Sequence, residues 1–341
     1  MKLLLTSIGG GLGSQRINNF RKIKLHRDKL FIIGIDTNLN CLSSFFCDKF
    51  YKVSKGSSRN FIKDIFEIVV NEKIDLIIPG SDEEALKLAQ NKIKFENIGC
   101  KIETSDYNSL KILSNKSKTY NFLEKYQLGN PNWNTASSKK DLKNKVEYFF
   151  DNKINEIIIK PSISRGSRDI ICISNKLNKE KNFLFSTYQY KEYKKKLSEI
   201  FLSSNTVIME KYDSDIYDCD IHSVNGKLYN LTLRKRLNKF LPNEGHIIIN
   251  PKEVISLITS VTKLLKLSSV HDFDLMIDKQ GKFKIIEINP RMSGSICTSI
   301  LAGASYYEDI ILIAKNKKIL AKKAKKNKII VPSLNLSIFD K

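Results

Sequence analysis

The chain has 341 residues, with 58 Lys and Arg against 36 Asp and Glu and a formal net charge of +22, a length that calls for two or three domains rather than one core. Nine of the 58 basic residues are Arg and the Lys are spread over the whole sequence, which argues against the localised basic patch of a nucleic-acid binder. No apolar run approaches the roughly 18 residues of a membrane span, and the first residues lack the usual form of a signal peptide.

Taken in order, Lys2 to Ser7 reads as a buried strand, followed by the tight turn Gly9-Gly10-Gly11-Leu12-Gly13 and a helix from about Gln15. Phe31 to Asp36 is a second strand, Asn60 to Asn71 an amphipathic helix, and Ile74 to Pro79 a third strand leading to a helix over Asp82 to Gln90. Strands alternating with helices predict a parallel, Rossmann-like sheet with covering helices. The glycine turn does not make a dinucleotide site, because G-x-G-x-x-G fails where Ser14 stands. Asp36, ending the second strand, is read either as a ribose ligand or as a strand-end polar residue.

Asp106 to Leu113 and Asn115 to Tyr126 read as consecutive helices stopped by Gly129-Asn130-Pro131. Glu156 to Lys160 is an apolar strand ending in a lysine, and the polar segment 162–169 leads to a return strand over Ile170 to Ser174. Lys160 would be an unpaired buried charge without an anion. The segment with Ser164, Arg165, Gly166 and Ser167 can fold backbone amides over phosphate. Thr206 to Lys211 is a further strand, followed by strands over Asp215 to Asp220 and over Lys227 to Arg236, the latter ending in a basic cluster. His246 is as readily structural as catalytic. Pro251 to Leu267 is an amphipathic helix, Ile296 to Ala314 two helices, and 315–328 a charged run read as a solvated helix or extension. Six cysteines without a CxxC pair indicate neither zinc nor disulfides, and a reducing cytoplasm fits.

The most informative stretch is Val270 to Ser295, VHDFDLMIDKQGKFKIIEINPRMSGS. It reads as two strands joined by a turn at Asp278-Lys279-Gln280-Gly281. Phe273, Leu275 and Ile277 alternate with Asp272, Asp274 and Met276, so one face is apolar and the other charged. On the return strand Glu287 and Asn289 share a face. Carboxylates gathered this way repel one another unless cations sit among them, and oxygen-only ligands suit Mg²⁺. Pro290 fixes the backbone before Arg291, which places a guanidinium at the end of the acidic return strand.

Glu-Ile-Asn-Pro-Arg resembles the metal-binding signature of the ATP-grasp ligases, and the resemblance extends over nearly the whole chain, to the subgroup similar to the large chain of carbamoyl-phosphate synthase. It implies ATP and Mg²⁺ as cofactors, with Mn²⁺ able to substitute, and Asp274, Glu287 and Asn289 as metal ligands. It also implies that Lys116, Lys160, Ser164, Arg165, Gly166 and Ser167 meet phosphate and that Glu210, Lys211 and Tyr212 belong to the adenine-reading hinge. The ribose contact stays open, with Asp215 or Asp218 as substitutes for the family's acid. Arg234 and Arg236, with Arg291, lie near the phosphates and the acyl substrate in such relatives. The implied fold class is α/β with α+β: a Rossmann-like domain over 1–105, a small lid-like ATP-grasp subdomain over 106–212, and a large subdomain over 213–341 with mainly antiparallel sheet. The implied activity joins a small-molecule carboxylate to an amine through an acyl phosphate, with no membrane or specific nucleic-acid partner and compatibly with a homodimer. A nucleotide sensor of the same fold without chemistry and an NAD-dependent enzyme are the alternatives.

Overall fold

The computed structural model describes residues 1–23, 29–164, 169–176, 186–196, 205–239, 241–333 and 336–339. The chain forms two compact units: residues 1–111, 216–274 and 289–341 in the first, and 112–215 with 275–288 in the second.

In the first unit, β1 (Lys2–Leu5), β2 (Phe31–Asp36), β3 (Lys49–Lys52), β4 (Leu76–Ile78) and β5 (Lys101–Ile102) form a sheet in the order β3-β2-β1-β4-β5. Every pairing in it is parallel. Alternation along the strands supplies two apolar faces. Leu3, Leu5, Ile32, Leu76 and Ile78 pack with Ile17 and Phe20 of the helix Gly13–Arg21 and with Tyr306, Tyr307 and Ile310 of the helix Tyr306–Ala314. Leu4, Ile33, Ile35 and Ile77 face Phe61, Ile65 and Ile68 of the helix Phe61–Glu72. A sheet buried on both faces explains the near-continuous apolar strands.

The second unit holds β6 (Trp133–Ala136), β7 (Glu156–Pro161), β8 (Ile171–Ser174), β9 (Ser186–Gln189) and β10 (Thr206–Glu210), ordered β6-β10-β7-β8-β9. Pairing is antiparallel except between β8 and β9. Its core joins Ile157, Ile159, Ile173 and Ile208 to Leu142, Val146 and Phe149 of the helix Lys139–Asp151. Since Ile157 and Ile159 point into that core, Lys160 points to the opposite face.

The remaining sheet comprises β11 (Tyr217–Val224), β12 (Lys227–Arg236), β13 (His246–Ile249), β14 (Ser269–Ile277), β15 (Phe283–Asn289) and β16 (Ile329–Ile330), in the order β15-β14-β11-β12-β13-β16. Residues 275–288, the end of β14 and most of β15, count with the second unit. The turn between those strands falls at 278–282, closed by Asp278 N–H to the Lys282 carbonyl at 2.9 Å, with Gly281 at φ +78°.

The run 315–328 is irregular rather than helical, with Asn316, Ala321 and Asn327 at positive φ. Side chains capture the amides that a helix would use: the Asp309 carboxylate accepts from Leu320 and Ala321 N–H, and Ser305 Oγ accepts from Lys322 N–H. The antiparallel β11, β12 and β13, like those of the second unit, set this fold apart from a purely Rossmann-like one.

Candidate active site

In the second unit the helix Lys116–Lys125 begins at an Asn115 cap, whose Oδ1 accepts from Lys118 N–H at 3.0 Å. Its first residue, Lys116, is anchored twice, by its own N–H to the Ser162 carbonyl at 2.8 Å and by its ammonium to the Ser164 carbonyl at 2.7 Å. The same ammonium lies 2.9 Å from Glu287 Oε1. Lys160, buried at the end of β7, donates to Tyr120 Oη at 2.9 Å and lies 3.4 Å from the Ile286 carbonyl. Two lysines and a carboxylate read from sequence are thus brought together around residues 286–287.

The expected hinge residues lie elsewhere in that unit. Lys211 Nζ donates to Glu156 at 3.0 Å, and Glu210 sits 3.4 Å from Lys279 Nζ. Tyr212 Oη accepts from Asn132 N–H at 3.0 Å, and burial pushes its phenol up to about 12. Ser164 is placed next to Lys116, while Arg165, Gly166 and Ser167 lie outside the described residues.

In the first unit β11, β12 and β14 bring Asp218, Asp272 and Asp274 together, with one oxygen of each within 4.8 Å of the others. Asp218 and Arg234 are directly opposite in the ladder, as are Arg236 and His246. Arg236 grips Asp218 through Nε at 3.0 Å and reaches Asp274 at 3.1 Å. His246 Nε2 lies 2.7 Å from Asp218 Oδ2. Burial opposes ionisation of Asp218, yet the His246 hydrogen bond and the Arg236 charge hold its carboxyl well below the usual range. Burial, against the pull of Asp218, lowers His246. Asp272 is pushed far up by burial and by the neighbouring carboxylates. It accepts from Asn289 Nδ2 at 3.0 Å through Oδ2, whereas its buried Oδ1 has no hydrogen-bond partner.

Arg234 is fully enclosed. Its guanidinium meets Asp220 at 3.0 Å, Ser295 Oγ at 2.8 Å and Thr298 Oγ1 at 3.0 Å. That placement makes it a scaffold for the acidic cluster rather than a group facing solvent or substrate. Asp218, offered for ribose, likewise has both oxygens engaged by Arg236 and His246. Neither depth could be read from alternation, which gives the face of a strand but not its enclosure.

The carboxyl ends of β1 and β4, where strand order reverses, form the place at which such sheets hold ligands. There buried Glu84 accepts from Thr6 Oγ1 at 2.6 Å and Ser7 Oγ at 2.8 Å, and Arg16 donates to the Thr6 and Ile78 carbonyls. Arg291 Nε lies 3.0 Å from Asp82 Oδ1, so this arginine is tied to the start of the helix Asp82–Gln90. Asp36 takes Gly9 N–H at 2.8 Å, which makes it the anchor of the glycine turn. Glu84, Asp220 and Asp272 are polar groups that the sequence reading did not assign; only Asp272 had a signal, its place in the acidic alternation.

Residues 203–335 match the family described as ATP-grasp in the biosynthetic pathway with Ter operon, and residues 3–103 match the PylC-like N-terminal domain. The chain has the ATP-grasp fold. Among solved structures of the same fold, N5-carboxyaminoimidazole synthetase from Staphylococcus aureus superposes with a TM-score of 0.66 at 15% identity, over 97% of this chain and 79% of that one. The biotin carboxylase domain of the Hydrogenobacter thermophilus 2-oxoglutarate carboxylase, in complex with MgADP, ADP and bicarbonate, gives 0.67 at 13% identity over 95% and 72%. L-amino acid ligase from Bacillus licheniformis gives 0.62 at 12% identity over 92% and 73%. No curated protein matches the sequence. Among the described residues, no helix is long and apolar enough to cross a membrane.

The donor set fits a divalent cation. Carboxylate and amide oxygens suit Mg²⁺, and Asp272 Oδ1 beside Asp274 is a buried acceptor with no hydrogen bond, its nearest cation Arg234 Nη2 at 3.9 Å, for which a metal ion is an apt partner.

Proposed function

We propose that this ATP-grasp protein is a ligase that phosphorylates a small-molecule carboxylate and joins it to an amine. The observation that carries the reading is the convergence of two buried lysines, Lys116 and Lys160, around residues 286–287 of β15. Lys116 already meets Glu287, and a triphosphate would add the further anionic charge that buried ammonium groups favour.

On this reading Lys116, Lys160 and the segment 164–167 hold phosphates, and Glu210, Lys211 and Tyr212 lie along the adenine. Mg²⁺, for which Mn²⁺ can substitute, is assigned to Asp274, Glu287 and Asn289, where it would neutralise phosphate charge. Arg236 holds Asp274 and Asp218 in place, and Arg234 supports the same acids from within. Arg291 is the candidate for charge developing at the transferred phosphate. The carboxylate oxygen attacks the γ-phosphorus and ADP leaves; the amine then attacks the acyl carbon, the C–O bond to phosphate breaks, and an amide, phosphate and a proton result. Positioning and charge neutralisation are the main demands of the first step. We further read the chain as the three domains 1–105, 106–212 and 213–341, working in a reducing cytoplasm.

Calorimetry of wild type with Mg²⁺ and ATP, followed by a screen for ADP release with carboxylates and amines singly and in pairs, tests this. Binding with release that requires one pair is expected, and Glu287→Gln should abolish release. Absence of ATP binding would overturn the reading; binding without release on any pair would favour a nucleotide sensor.

A further inference from the structure

The helix Lys116–Lys125 presents a second group toward β15, one turn beyond Lys116. Residues four apart on a helix share a face, and Tyr120 occupies that position. Its side chain is fully buried, edge-on to Trp133 with ring centroids 5.3 Å apart. Its hydroxyl donates to the Ile286 carbonyl at 2.5 Å and accepts from Lys160 Nζ at 2.9 Å. A phenol has one proton to give and lone pairs to receive with; the short contact to the Ile286 carbonyl takes the proton in preference to Met209 Sδ at 3.6 Å, and Lys160 uses a lone pair. Lys160 also lies with its ammonium 5.4 Å from the Tyr120 ring centroid.

We propose that Tyr120 is the positioning residue that aims Lys160 at phosphate and locks it to the strand carrying Glu287. The inference rests on the reading of Lys160 as a phosphate ligand. Lysine is a flexible four-carbon stem with a point charge, and alone it would sample many directions at the end of β7. Tyr120 Oη, at 2.9 Å, and the Ile286 carbonyl, at 3.4 Å, are among the groups that fix where its ammonium sits. The next residue, Glu287, meets Lys116 at 2.9 Å. One helix therefore fixes both lysines against consecutive residues of one strand, Lys116 by direct ion pairing and Lys160 through a phenol. A tyrosine kept only to fill the core would act through its ring, and phenylalanine would serve as well.

The experiment is a double-mutant cycle read by calorimetry with ATP and with adenosine. Tyr120→Phe keeps the ring and should weaken ATP about tenfold, the scale of a hydrogen bond to a charged group, while adenosine, lacking phosphate, binds as to wild type. In a Lys160→Met background the same change should cost ATP no more than about twofold, because coupled groups are not additive. Unchanged ATP affinity in Tyr120→Phe, an equal loss with adenosine, or losses that multiply would each overturn the proposal. If wild type binds adenosine but gains nothing from the phosphates, the phosphate reading of Lys160 fails instead, and the proposal with it. Should Tyr120→Phe not fold, 3-fluorotyrosine at position 120 keeps ring and hydroxyl but makes the oxygen a poorer acceptor; a smaller loss confined to ATP is expected, and no loss overturns the assignment.

Discussion

Arg234 and Arg236 stand two apart on β12 and share a face, yet they do different work. Arg236 keeps 12% of its side chain exposed, whereas Arg234 is entirely enclosed and meets Asp220 with both Nε, at 2.9 Å, and Nη2. Removing one partner of a buried pair strands the other without water, at a cost of about 3 to 5 kcal/mol. Arg234→Met is therefore expected to lower the free energy of unfolding by about that much in urea titrations, and Arg234→Met combined with Asp220→Leu by less. A single variant within about 0.5 kcal/mol of wild type, the range of ordinary surface substitutions, would show that the pair is not buried in solution. The basic cluster at the end of β12 was legible in the sequence because Arg is scarce here; the depth of Arg234 was not, since Ser295 and Thr298, and Ser299 on its partner Asp220, come from far along the chain.

At the scale of elements, the glycines near the first strand are there for close backbone contact. A Cβ on Gly80 would lie 2.1 Å from the Thr6 carbonyl oxygen and 2.9 Å from Arg16 Nη1, and one on Gly13 would lie 1.9 Å from the Ile8 carbonyl oxygen. Gly10 would meet nothing within 4 Å. Gly80→Ala should therefore destabilise by about 1 to 3 kcal/mol, the scale of overpacking, while Gly10→Ala stays near wild type; equal midpoints for both in urea would refute the contact. This explains why a glycine turn after β1 does not require a dinucleotide: its tightness serves packing and the Asp36 anchor. Phe31–Asp36, Asp82–Gln90 and Lys227–Arg236 were legible to the residue because their apolar patterns are long and bounded. The short β3, with sequence KFYK, and β5, of two residues, have too little pattern to read. Asp278 to Gly281 was legible as a turn from its chemistry alone, Asp and Gly at the ends and polar residues within.

For the whole molecule, two units with separate cores raise the question whether the chain unfolds in one step. Multidomain chains commonly do not. The six cysteines are free and provide reporters: Cys172 lies in the second unit, and Cys41, Cys47, Cys100, Cys219 and Cys297 in the first. Burial raises every one of these thiols, Cys47 and Cys100 to about 12 and Cys172 to about 11. A thiol whose pKa lies above the working pH carries little thiolate, the reactive form, so the native protein at pH 8 should label slowly at all six positions. With rising urea, Cys172 should label with its own midpoint. Lys116, Lys160 and Glu287 all belong to the unit that holds Cys172, so Mg²⁺ and ATP should move that midpoint more than the others. At a hundredfold excess over Kd the added stability is about 2.7 kcal/mol, enough to separate the two transitions if they coincide without ligand. Peptide mapping by mass spectrometry after a short pulse of maleimide reads each position separately. One common midpoint for all six thiols, shifted equally by ligand, would show that the two units unfold as one.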